Sequence, residues 1–85
     1  MLVTLKPHPD TPGPAIRIDV EVLRPRTAGV ELRYLMSGDV SRVVLPASVR
    51  PSQAHELWRT TCFEAFIEKA GGGYCELNLS PTGRW

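Results

Sequence analysis

The alternation of apolar and polar positions along the chain predicts a series of short strands, and the clearest pair lies between Leu57 and Ser80. Thr61, Phe63, Ala65 and Ile67 alternate with Cys62, Glu64, Phe66 and Glu68, the period of two that turns one face of a strand toward a core. After a hinge from Lys69 to Gly73 the alternation resumes, with Cys75, Leu77 and Leu79 set against Tyr74, Glu76, Asn78 and Ser80. Pairing Glu68 with Tyr74 sets Ile67 opposite Cys75, Ala65 opposite Leu77 and Phe63 opposite Leu79, so apolar side chains meet across the hairpin. A slip of one residue would set Phe63 against Asn78, which is what specifies the register. The same pairing puts Glu64 opposite Asn78 and Phe66 opposite Glu76, with Glu64 diagonal to Glu76 on a polar face.

Upstream, Leu2 to Lys6 predicts an edge strand, followed by an extended arm whose prolines at 7, 9, 12 and 14 deny it helix and central-strand hydrogen bonds. His8 sits between two of those prolines and is expected as a solvent-exposed loop residue. Ile16, Ile18, Val20 and Val22 alternate with Arg17, Asp19 and Glu21, a half-buried strand ended by Pro25. Its hairpin partner follows a turn at Arg26 to Gly29, with Val30, Leu32, Tyr34 and Met36 on one side and Glu31 and Arg33 on the other. Leu35 breaks the polar side, so cover on both faces is expected at the far end of that strand. Ser37, Gly38 and Asp39 give a turn signal, and Val40 to Leu45 predicts a shorter strand closed by Pro46. From Pro46 to Glu56 no period holds, and a connection of that length is often a binding loop or a crossover between sheets. The expected class is all-β: an antiparallel β-sandwich, partial, with about five strands.

The 85 residues allow one small domain, with ten Lys and Arg against nine Asp and Glu and a net charge of +1. The basic residues are scattered rather than clustered, which argues against a nucleic-acid surface. No apolar run reaches the length of a membrane span, and the N-terminus lacks the features of a signal peptide, so the expected location is cytoplasmic. Cys62 and Cys75 fall on opposite faces of the predicted hairpin and match no metal-ligand spacing, which favours two free thiols. No P-loop, GxGxxG or HExxH motif is present to suggest a cofactor.

Leu57, Trp58, Thr61, Cys62, Phe63, Glu64 and Phe66, followed by Tyr74, Glu76, Asn78, Ser80, Pro81 and Gly83, form a pattern of a tryptophan, a Cys-Phe-Glu strand and a Tyr-x-Glu-x-Asn-x-Ser-Pro strand. That pattern resembles the bacterial DOMON-like domains and, more distantly, the family 9 carbohydrate-binding modules. The resemblance implies an antiparallel β-sandwich that binds sugars, or in some branches haem, without being an enzyme. It also implies that residues 1–85 are one incomplete domain, with residues 1–14 as a strand and arm. An uncovered sheet face and unpaired edges would then favour self-association or pairing with a missing C-terminal half.

The candidate ligand-binding residues are Trp58, Glu64, Glu76 and Asn78. Carboxylate and carboxamide groups bond sugar hydroxyls in directional pairs, and an indole stacks on the apolar side of a pyranose ring. Each has an ordinary alternative: a solvated strand face for the three polar residues, a plug at the end of the sandwich for Trp58. Diagonal neighbours lie about 7 to 8 Å apart, which also admits Glu64 and Glu76 as the two carboxylates of an inverting glycosidase. Haem would need axial ligands such as Met36 and His55, although a methionine on a β-strand is usually packing. A nucleophilic Cys62 beside His55 lacks an evident third group. The remaining alternative is a structural domain that pairs with another chain through its strand edges. Trp85 has no assignable role from the sequence.

Overall fold

A computed structural model describes residues 1–85, and its only regular elements beyond single 3-10 turns are five strands: β1 (Leu2–Thr4), β2 (Ile16–Leu23), β3 (Glu31–Gly38), β4 (Phe63–Glu68) and β5 (Tyr74–Leu79). The fold is all-β, with a three-stranded antiparallel sheet in the order β1-β2-β3 and a two-stranded antiparallel sheet β4-β5. The chain divides into two units, Met1–Val43 and Val44–Trp85, each with one of the sheets.

In the first unit the predicted hairpin forms with Ile18 opposite Met36, Val20 opposite Tyr34 and Val22 opposite Leu32, so one face of the sheet is apolar throughout. Val20, the most buried of these at 7% exposure, lies at the centre of that face with Val3 of β1 on its other side. The opposite face is held by charge. Asp19 takes hydrogen bonds from the Thr4 hydroxyl and from Arg17 Nε at 2.9 Å, and Arg17 also donates to Thr4 Oγ1 at 3.2 Å. Leu35 falls on this polar face, opposite Asp19, and is 67% exposed, so the expected cover on both faces is absent.

The Thr4 hydroxyl, followed by the Arg17 guanidinium, holds the Asp19 carboxyl below the usual carboxylate range against a partial opposing effect of burial. A depressed carboxyl stabilises the fold above its unfolded value of about 3.9, and that contribution is lost as pH falls through the lower folded value. Because Asp19 ties β1 to β2, acid is expected to release β1 first. The protection of the Leu5 amide against hydrogen exchange, relative to the unstructured rate at the same pH, should fall as the pH drops below about 4, since that amide bonds Ile18 O at 2.9 Å, and Asp19→Asn should remove that fall.

The strand expected over Val40–Leu45 does not form. Gly38 turns at φ +101°, and Asp39 N–H bonds Ala15 O at 2.9 Å, closing the sheet at that point. The Ser41 hydroxyl then bonds Asp39 Oδ1 at 3.0 Å, and Val40–Arg42 winds into a 3-10 turn with Arg42 N–H on Asp39 O. Local side-chain bonding of this kind competes with a sheet ladder and prevails where β3 already ends.

In the second unit the β4-β5 register is the one expected: Phe63 pairs with Leu79, Glu64 with Asn78, Ala65 with Leu77, Phe66 with Glu76, Ile67 with Cys75 and Glu68 with Tyr74. The loop between them closes through Lys69 N–H to Gly73 O at 2.9 Å and Gly72 N–H to Lys69 O at 3.1 Å, with Gly71, Gly72 and Gly73 all at positive φ. Phe63, Ala65, Leu77 and Leu79 are half-buried, whereas Ile67 and Cys75 at the hairpin tip are exposed. The apolar cover reaches only the strand ends near Leu57, whose 3-10 turn, Leu57–Arg59, packs against β5. Thr61 and Cys62 precede the strand, and the Thr61 hydroxyl bonds Val44 O at 2.6 Å. Both cysteines are free thiols.

Candidate functional site

The turn after β5 builds the most site-like feature of the second unit. Ser80 Oγ accepts from Thr82 N–H at 3.2 Å and sits 2.8 Å from Thr82 Oγ1, which accepts from Arg84 N–H at 3.3 Å. Gly83, at φ +102°, bonds back to Ser80 O at 3.1 Å and completes a tight reversal around buried Thr82. The reversal lays the last residues beside the aperiodic Pro46–Glu56 loop. Val49 N–H bonds Thr82 O and Ala54 N–H bonds Trp85 O, each at 2.9 Å, and Trp85 N–H bonds Ser52 O at 3.1 Å. Ser52 and Arg84 form an isolated parallel bridge.

The product is a cleft of about 290 Å³ along β5, lined by Gln53, Ala54, Trp85 and the Glu76–Leu79 stretch. Asn78 Nδ2 donates to Glu76 Oε1 at 3.3 Å, which leaves Asn78 Oδ1 as an acceptor, buried and without a donor from the protein. An indole, a carboxylate and two carboxamides therefore share one opening. Such a set can bond vicinal hydroxyls and stack on the apolar side of the same ring.

Of the residues expected from the sequence, Glu76 and Asn78 line this cleft, and Trp58 and Glu64 are not among its lining residues. Glu64 is exposed on β4 opposite Asn78, on the face that also carries an exposed Phe66–Tyr74 pair with ring centroids 5.6 Å apart. Trp58 is 61% exposed, with the Arg59 guanidinium 5.4 Å above its ring, so it is not the plug of a core. Trp85 and Gln53 were not assigned from the sequence. The Ser80-Pro81-Thr82-Gly83 turn carries the chain back beside the loop, a course that its sequence does not announce.

The thiol of Cys62 is pushed up by burial, partly offset by a backbone hydrogen bond from Leu79 and reinforced by the Glu64 carboxylate, the reverse of what a nucleophilic cysteine needs. His55 is exposed in the second unit, and Met36 is half-buried in the first. No group of three or more His, Cys, Asp or Glu is placed to hold a metal ion. No helix is long and apolar enough to cross a membrane. Compared with protein-family models, with curated proteins and with solved structures, the chain matches none.

Proposed function

We propose that this chain is a non-catalytic carbohydrate-binding module of the DOMON-like kind, held with its thiols reduced in the cytoplasm. The observation that carries the proposal is the cleft in which Trp85 stands beside Glu76 and the donor-less Asn78 Oδ1. A volume of about 290 Å³ lies at the small end of ligand sites, which suits a single sugar ring rather than the middle of a polysaccharide. Glu64 and Glu76 are both exposed, whereas a two-carboxylate hydrolase relies on one of the pair being desolvated.

Calorimetry against a panel of monosaccharides and short oligosaccharides tests this. Trp85→Ala and Asn78→Ala should each weaken binding by about tenfold or more, since one removes the stacking surface and the other an otherwise unsatisfied acceptor. Neither should lower the melting temperature by more than a few degrees, because Trp85 is 53% exposed and the Asn78 Oδ1 that is lost has no donor from the protein. Turnover of a glycoside lost in Glu76→Gln would replace the module with an enzyme.

A second function is favoured by the apolar side chains left open on the strands, with Leu2 of β1 68% exposed and Phe66 of β4 and Tyr74 of β5 60% and 63% exposed. Pairing with a second copy through the strand edges is the function this surface supports. The two differ in the same experiment: a chain that gives no heat with any sugar and sediments as a dimer at low micromolar concentration is the interaction domain.

A further inference from the structure

The first unit holds a larger cavity, on the other side of the chain's division, that the sugar site does not use. It measures about 550 Å³ and lies where the proline-rich arm passes over the start of β2. Leu5, Ile16 and Ile18 supply one wall, and Pro7, Pro12 and Pro14 another. A proline wall is apolar and has no backbone N–H to satisfy. The volume lies within the roughly 300 to 1,000 Å³ of small-molecule sites.

None of the polar side chains at this cavity is anionic. Lys6, His8 and Thr11 line it, and no carboxylate does. The Lys6 ammonium takes part in none of the ion pairs of the unit, all of which use arginine. His8 Nδ1 accepts from Asp10 N–H at 3.2 Å, which fixes the ring hydrogen on Nε2 and leaves that nitrogen as a donor. An apolar slot edged by an ammonium and an imidazole N–H is complementary to a ligand with an apolar body and an anionic head.

We propose that the slot between the proline arm and β2 is a binding site for a small amphipathic anion, with Lys6 and His8 at the head and Leu5, Ile16 and Ile18 along the body. A medium-chain carboxylate is the simplest member of that class. The site is independent of the carbohydrate cleft, and either can fail without the other.

The test is an amide-resolved NMR titration of the whole chain with decanoate, with decyltrimethylammonium as the probe of equal body and opposite head. Saturable shifts confined to residues 5–18 are expected, with the cation binding about tenfold or more weaker. Lys6→Glu should weaken decanoate by about tenfold, a change made at an exposed side chain and so separable from unfolding by an unchanged melt. Leu5→Asp should weaken decanoate by about tenfold or more by setting a carboxylate in the apolar wall, at a side chain that is 45% exposed and so can change without unfolding the sheet. Equal affinity for both head charges, shifts that do not saturate or that spread beyond the slot, or full decanoate affinity in Leu5→Asp would each overturn the proposal.

Discussion

Leu57→Ala is expected to destabilise the second unit by about 2 to 5 kcal/mol, the cost of removing a buried leucine and leaving its cavity. Leu57 is 9% exposed and is the one buried apolar side chain of that unit. Its 3-10 turn packs against β5, and the backbone enters that turn through Glu56 at φ +56°, a left-handed conformation that a non-glycine residue holds only when its surroundings enforce it. With so few buried residues there is little to compensate for the loss, and a small domain has only about 5 kcal/mol or slightly more to lose. Trp58→Ala, next along the chain but 61% exposed, should cost less than about 1 kcal/mol. Urea unfolding followed through β4-β5 amides measures both. Equal effects at positions 57 and 58 would show that Leu57 is not the anchor of the unit.

Gly38→Ala is the corresponding break in the first unit. The new Cβ would lie 2.6 Å from Ala15 O, a backbone atom that cannot swing aside, and φ there is +101°. The backbone conformation alone costs about 1 to 3 kcal/mol, and the clash adds to it by prying apart the Ile16–Gly38 end of the β2-β3 pair. Gly72→Ala separates the two effects, since Gly72 has nearly the same φ, +104°, with nothing near its Cβ. Gly38→Ala should therefore lower stability by clearly more than Gly72→Ala in equilibrium unfolding. Equal losses would mean that conformation, and not the contact with Ala15, sets the requirement for glycine.

The β4-β5 register was legible because a slip of one residue sets Phe63 against polar Asn78, and the observed pairs avoid this. The β2-β3 pair was legible for the same reason. Val40–Leu45 misled because its apolar residues satisfy a strand pattern while Gly38, Asp39 and Ser41 impose a turn, and a local hydrogen bond leaves no mark on periodicity. Ile67 and Cys75 alternate correctly yet are exposed, since alternation gives the face of a strand and not how far the cover above it extends. Half of the cleft was legible. Glu76 and Asn78 sit on a strand whose polar face could be read, but Gln53 and Trp85 reach it only through backbone bonds such as Ala54 to Trp85, between segments far apart in sequence and without a period.

The proposed binding mode places one sugar ring between Trp85 and the Glu76–Asn78 pair. Following the indole Nε1–H of Trp85 and the side-chain amide of Asn78 by NMR, while titrating with the monosaccharide that gives the largest heat, tests it most directly. Saturable shifts of both signals with one dissociation constant, and no shift of the Trp58 indole, are the predicted result. Saturation at Trp58 with Trp85 and Asn78 unmoved would contradict it.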